Sequence, residues 1–366
     1  MTGGIVRKLS RLVPGGIALA LVAAACAPNA SQDSLRPAGP YAEKIDNLFR
    51  PVFWMATLVF FVVEGLLLYL VVRYRHRHGR QGIPPQVHGN QRLEIAWTIL
   101  PALILVGVAV PTVSTIYDLA AEPTGRVLNV SVIGHQWWWE FDYPGLNVNT
   151  ANELHIPVGQ PVYLSLCAAG AGYEKRPAPN DCQDVSEIIG DSVIHSFWVP
   201  QLGGKQDVVP GRINHLLIQA DRPGVYPGQC AEFCGLSHAY MRFTVIAQPR
   251  DEYDAWVRAQ QADAPTPAGG SLAATGLEVF NGQCIACHAV QGNPQAVNVG
   301  GPNLTHLMSR DCFAGCIFDM TRANLARWLD NPSAVKGGVP GGTWMPDYNL
   351  TDDQIKALVA YLMTLR

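Results

Sequence analysis

Charge is what this chain has little of. Only 15% of its 366 residues are Asp, Glu, Lys or Arg, against 48% that are apolar, and the mean hydropathy is +0.10. A soluble globular protein carries about 25% charge, so the shortfall points to segments that sit in a membrane. The same composition excludes a largely disordered chain, which needs high charge and low hydrophobicity. There is no continuous basic stripe with interleaved aromatics, which argues against nucleic acid as a partner. The length exceeds one ordinary domain of about 100–200 residues, so two or three units are expected.

The net charge of −3 conceals an asymmetry: the balance is +6 over residues 1–117, −7 over 118–260 and −2 over 261–366. A basic first third beside apolar runs marks a cytoplasmic membrane face. The nine cysteines, at 26, 167, 182, 230, 234, 284, 287, 312 and 316, fall mostly in close pairs. That spacing points to cofactor ligation and disulfides rather than scattered core thiols.

Residues 1–26 read as a signal segment. Arg7, Lys8 and Arg11 form a basic start, and residues 15–25 form an apolar run too short to span a bilayer as a helix. The run ends in Ala24-Ala25-Cys26, which resembles a lipoprotein cleavage site with Cys26 lipidated; ordinary cleavage near Ala25 and retention of the segment are the alternatives. Residues 27–44 read as a flexible tether. A transmembrane hairpin is expected over 45–120, with helices near 52–72 and 95–117. The first run spans about 31 Å, enough to cross the hydrocarbon core. Pro101 and Pro111 are tolerable in a membrane helix that has neighbours. The intervening loop carries Arg73, Arg75, Arg77, Arg80 and Arg92, so it is expected to be cytoplasmic and everything after residue 117 external. Glu64 lies at mid-membrane, where a carboxyl group is either functional or hydrogen-bonded to a partner helix.

Residues 121–250 read as an all-β domain. RVLNVSVIGHQWWWEFDY alternates and is rich in β-branched and aromatic residues, and further short strands are divided by Pro/Gly turns, a pattern that suits a β-sandwich. Residues 251–271 form a short helix and a Pro/Ala/Gly linker. Residues 272–366 read as helical, with a capping box at Thr351 and Gln354 opening the last helix.

Two clusters carry chemistry. Cys284-Ile285-Ala286-Cys287-His288 is a c-type haem attachment motif: two thiols one helical turn apart can add to the vinyl groups of one haem, and the histidine that follows is placed to bind iron. Chance occurrence and zinc binding are the bland readings. The sixth ligand is expected to be a thioether or a second imidazole. Met345, in a Gly/Pro loop between helices, is preferred; Met320 is the runner-up, and Met308, Met363 and His306 are weaker candidates.

The second cluster runs Cys230, Glu232, Cys234, His238, Met241. Thiolate, imidazole and thioether on one loop after a strand point to copper. Two cysteines four apart can bridge two coppers, and a second histidine must then come from elsewhere, with His195 best placed. A Cys230–Cys234 disulfide and a zinc site are the alternatives. The other pairs, Cys167 with Cys182 and Cys312 with Cys316, read as disulfides outside the cytoplasm, with free buried thiols as the alternative.

The segments EIAWTILPALILVGVAVPT, GHQWWWEFDY, DSVIHSFWVPQLGGKQDVVPGRIN and YPGQCAEFCGLSHAYMRF closely resemble subunit II of haem–copper cytochrome c oxidases. The domain with Gly276, Phe280, the haem motif, Met345-Pro346 and Tyr361 resembles small class I cytochromes c, in which the methionine is axial. Together the two resemblances cover nearly the whole chain and point to the haem-c-fused, caa-type oxidases. They imply a cupredoxin-like β domain holding dinuclear CuA, with Cys230 and Cys234 bridging, His195 and His238 terminal, Met241 weakly axial and Glu232 bound through its backbone carbonyl. The Glu232 carboxylate is then expected to reach a magnesium ion at the boundary with subunit I. Trp137 matches the family's tryptophan through which electrons arrive, and Glu94 matches a glutamate at the mouth of a proton-uptake path. Ser192 stands where the family commonly has an Asp three residues before the histidine, with Asp191 one residue further back.

The implied assembly contains subunit I with haem and CuB, subunit III, membrane lipid, and an upstream donor such as a cytochrome c or bc complex. It lies in a bacterial inner membrane, with the copper and haem domains on the outer side. Rivals are a quinol-oxidase subunit II, which lacks the copper ligands, the CuA domain of nitrous oxide reductase, and a copper-delivery protein.

Overall fold

The computed structural model of the chain describes residues 30–75, 88–169, 182, 193–297, 300–336 and 345–366. Among the described residues two long helices come first, α1 (Pro40–Tyr74) and α2 (Gln91–Ala120). Both are long and apolar enough to cross a membrane. Their large side chains, Phe60, Phe61, Leu68, Leu103 and Leu105 among them, face outward, as lipid rather than water would favour. Asn90 caps α2 by accepting from the amides of Arg92 and Leu93. Pro101 and Pro111 lie inside α2 without ending it.

The sequence predicts a tether over 27–44 ahead of the helix over 52–72. Instead α1 starts at Pro40, whose fixed φ suits the first helical position. The preceding residues are held by the β domain. The Ala38 amide donates to the Gln201 carbonyl at 2.8 Å, and the Asp221 amide donates to the Ala38 carbonyl at 2.9 Å. Gly39 lies so close to Gln219 that a Cβ would overlap its carbonyl. Ala42 and Asp46 are buried. The last part of the tether is therefore structured, because its backbone polar groups have partners on the sandwich.

Among the described residues ten strands follow: β1 (Leu128–His135), β2 (Trp138–Tyr143), β3 (Val148–Ala151), β4 (Glu153–Pro157), β5 (Val162–Ala168), β6 (His195–Trp198), β7 (Lys205–Val208), β8 (Asn214–Ile218), β9 (Gly224–Cys230) and β10 (Arg242–Gln248). They form two five-stranded sheets, ordered β3-β2-β1-β5-β8 and β4-β10-β9-β6-β7. Most pairs are antiparallel, but β1 with β5 and β4 with β10 run parallel. The alternation of the sequence becomes a core between the sheets built on Trp139, Phe141, Leu154, Leu164, Phe197 and Phe243. Cys167 on β5 is joined to Cys182, with Cα atoms 5.5 Å apart.

Helix α3 (Arg250–Gln260) leads to the last unit, made of α4 (Leu272–Gln283), a two-residue ladder of β11 (Cys312–Phe313) with β12 (Phe318–Asp319), α5 (Arg322–Asp330), α6 (Pro332–Val335) and α7 (Asp352–Leu362). The helical character follows the expectation, and the small ladder is an addition to it; a Cys312–Cys316 disulfide closes its turn. α4 crosses α7 at Gly276, where a Cβ would overlap the Ala357 carbonyl. Beside that contact Phe280 and Tyr361 pack at 5.3 Å between ring centroids. Thr351 and Gln354 form the reciprocal capping box read from the sequence.

Candidate metal centre

Strand pairing brings the sulfur and imidazole groups together. Cys230 ends β9 and pairs with Phe197 of β6. His195 lies two residues from Phe197, and side chains two apart share a face, so the imidazole projects beside the Cys230 thiol. The ring fits because Gly134 on β1 has no Cβ; one there would stand 2.9 Å from it. After β9 the chain loops through Cys234 into a short 3-10 turn, His238–Tyr240, which sets His238 and Met241 back toward the same point.

The distances describe a compact buried cluster. The two Sγ atoms are 3.8 Å apart. Cys230 Sγ is 3.9 Å from His195 Nδ1, and Cys234 Sγ is 3.6 Å from His238 Nδ1. Met241 Sδ lies 3.8 Å from Cys234 Sγ, and the Glu232 carbonyl oxygen is 3.2 Å from Cys230 Sγ. A sulfur separation of 3.8 Å is not a disulfide, so that alternative does not describe this pair. The Cys230 thiol is held well below its ordinary range, first by a hydrogen bond from Cys234, with His195 also helping against burial. The Cys234 thiol is raised by the same shared bond and then by burial. One thiolate therefore forms readily and the second needs a cation to replace its proton. Two sulfurs, each beside its own imidazole, with a thioether and a carbonyl at the flanks, fit a pair of copper ions better than one hard cation.

Trp137 leans on this cluster from the side. It is 6% exposed, and its Nε1 donates to the Cys234 carbonyl at 2.9 Å. Gln136 Nε2 donates to the same oxygen at 2.7 Å. The Trp137 backbone carbonyl accepts from Nζ of Lys336 at 2.7 Å, a residue of the C-terminal unit that is 4% exposed. Burial lowers this lysine's pKa to about 8, with the Cys234 charge acting in the opposite direction.

In the C-terminal unit the backbone turns at Cys284, with the His288 amide donating to the Cys284 carbonyl at 3.0 Å. Burial, then the neighbouring Cys287, pushes the Cys284 thiol up to about 11. His288 Nδ1 donates to the Pro302 carbonyl at 2.8 Å, which leaves Nε2 as the nitrogen for a metal. Gly301 lets this loop close on the ring, since a Cβ would sit 2.7 Å from it. Burial lowers the His288 pKa, keeping a lone pair available. Met345 Sδ accepts from Trp328 Nε1 at 3.0 Å. His306 is engaged at both ring nitrogens by carbonyls, those of Arg366 on one side and of Gln260 and Ala262 on the other, so it is a poor axial candidate. The thiol pair, the oriented imidazole and the thioether in the same core fit a covalent haem.

Three family descriptions match the chain. They are cytochrome c oxidase subunit II, transmembrane domain, over residues 29–115; cytochrome c oxidase subunit II, periplasmic domain, over 128–248; and cytochrome c over 273–366. Cytochrome c oxidase subunit 2 of Alkalihalophilus pseudofirmus is 38% identical over 98% of both chains. The chain belongs to the cytochrome c oxidase subunit II family. Quinol oxidase subunit 2 of Bacillus cereus is a more distant relative, 32% identical over 70% of this chain and 81% of its own. The solved periplasmic domain of cytochrome oxidase subunit II from Bradyrhizobium japonicum is 26% identical, covering 38% of this chain and 96% of that one, with a TM-score of 0.31.

As a subunit II, the chain is a component of an oxidoreductase complex anchored by two apolar helices, with a periplasmic β domain and a cytochrome c domain. Its remaining predicted residues are scattered. Glu94 lies exposed in the first turn of α2, and Glu64 lies exposed on α1. The Glu232 side chain is exposed and accepts from the Phe233 amide at 3.1 Å. Met320 packs near the β11–β12 ladder, its amide donating to the Asp311 carbonyl. Cys26, Arg80, Asp191 and Ser192 lie outside the described residues. Sequence reasoning missed Trp328, Pro302 and Lys336. A Gly-Pro step after a haem motif could have flagged Pro302, but nothing local marks Lys336.

Proposed function

We propose that this subunit II relays electrons from a covalent haem c on Cys284 and Cys287 to a dinuclear CuA centre, and on to haem in subunit I, where oxygen is reduced to water and protons are translocated. Bound in these sites, the iron and the copper pair each supply reversible one-electron chemistry near the membrane surface. His288 and Met345 would hold the iron, and the Nδ1 bond to the Pro302 carbonyl fixes the imidazole orientation. Cys230, Cys234, His195, His238, Met241 and the Glu232 carbonyl would hold the copper pair. The observation that carries the reading is the convergence of His195, Cys230, Cys234, His238 and Met241 at one buried point. This ligand set also favours the cytochrome c oxidase reading over a quinol oxidase subunit, which lacks it.

The exposed side chains Phe233 and Leu236, on the copper loop, support docking onto subunit I, because large apolar groups beside a functional loop mark an interface. The exposed Glu232 carboxylate would hold magnesium at that boundary. Glu94, exposed on the first turn of α2, would take up protons on the cytoplasmic side. Subunit III, a bacterial inner-membrane location and an upstream cytochrome donor complete the assembly. Optical and EPR spectra of the purified oxidase test the reading: a c-type haem band together with a mixed-valence copper signal is expected, and either one missing from fully loaded protein would overturn it.

A further inference from the structure

The haem-bearing unit packs directly on the copper domain, and the contacts are specific. On one side the buried Glu153 of β4 accepts from the Asp311 amide at 2.8 Å and the Cys312 amide at 3.4 Å. Gly315, in the disulfide-closed turn, approaches the Tyr240 carbonyl so closely that a Cβ would overlap it. On the other side stands Lys336, the residue after α6, with its Nζ on the Trp137 carbonyl. A lysine buried to 4% exposure is rare, because an ammonium loses its hydration there. This contact leads toward the copper site, because Trp137 Nε1 donates to the Cys234 carbonyl.

We propose that Lys336 is a positioning residue for electron delivery: it seats the haem domain on Trp137 and holds a positive charge beside the copper centre. This rests on the function proposed above and adds a residue to it. The connected sequence runs from the haem domain through Lys336 to the Trp137 backbone, and from the Trp137 indole to the Cys234 carbonyl. A residue of the fused domain therefore covers the Trp137 backbone carbonyl. A nearby buried cation favours the centre when it holds the extra electron, since reduction adds negative charge there. Glu153 and the disulfide-closed turn keep the domains together independently of Lys336.

The test uses the assembled oxidase carrying Lys336→Met, with Lys336→Arg as the charge-keeping variant and the exposed Lys356→Met as a control. Copper EPR and haem bands should be unchanged in all three. In Lys336→Met, flash-induced electron transfer from haem c to copper should slow at least tenfold. At fixed poise its ratio of reduced to oxidised copper should fall about threefold to tenfold; tenfold corresponds to 59 mV for one electron. Lys336→Arg should recover most of the potential. Hydrogen exchange at the Asp311 and Cys312 amides should stay slow, because Glu153 still holds them. An unchanged copper potential in Lys336→Met would overturn the assignment, as would fast exchange at those amides, which would make Lys336 a domain clamp alone. Absence of the copper signal from the wild-type oxidase would instead fail the function reading itself.

Discussion

Cys234 shows how much one side chain can settle. Its sulfur lies within 4 Å of Cys230 Sγ, His238 Nδ1 and Met241 Sδ, so it has no single-partner role. Cys234→Ser should abolish the mixed-valence copper signal while leaving the haem bands intact; a normal EPR spectrum in that variant would remove the dinuclear assignment. Met345 differs in kind, because its sulfur is held by Trp328 and not by the attachment motif. Met345→Ala should keep the haem covalently bound and lose the sulfur-to-iron absorption of the oxidised protein, and the same loss in Met320→Ala instead would move the axial ligand to the other loop. The proposed copper cluster was legible because residue type and spacing carry the chemistry: five of its positions lie between 230 and 241, and only His195 comes from another strand. Lys336 was not legible, since its partner is 199 residues away and a lysine after a short helix looks like any surface lysine.

Among the elements, the helix crossing in the haem domain is the most tightly constrained. Gly276 of α4 meets the Ala357 carbonyl of α7, with Tyr361 against the same spot. Gly276→Val should push the helices apart and destabilise that domain by about 1–3 kcal/mol, as overpacking typically does, read as an earlier loss of the haem band on heating. The Gly and the Tyr were both readable as motif positions, but the close backbone approach between them was not. The strands were legible from alternation and turn chemistry. The start of α1 was not, because residues 27–44 are polar and Pro-rich in sequence, and Ala38 and Gly39 are held by Gln201, Gln219 and Asp221 of the sandwich, contacts that no local pattern encodes.

For the molecule as a whole, the proposed function gives the two faces of the membrane different tasks. Glu94 sits at one end of α2 and the copper domain follows the other, so a change at Glu94 should not touch electron delivery. Glu94→Ala is expected to slow steady-state oxygen consumption by the assembled enzyme severalfold, with flash-induced copper reduction unaltered and Glu94→Asp milder. Full turnover in Glu94→Ala would return that carboxylate to a simple headgroup and helix-dipole role. The unbroken run of α1 has a mechanical meaning. At about 1.5 Å per residue its 35 residues make a rod of roughly 52 Å, against a hydrocarbon layer of about 30 Å. Its upper end is fastened to the sandwich at Ala38 and Gly39. A helix anchored in this way answers a thinner or thicker bilayer by tilting, with Pro51 inside it as the position where a bend can form. The lipid composition of the membrane thereby bears on how high above the surface the copper centre rides.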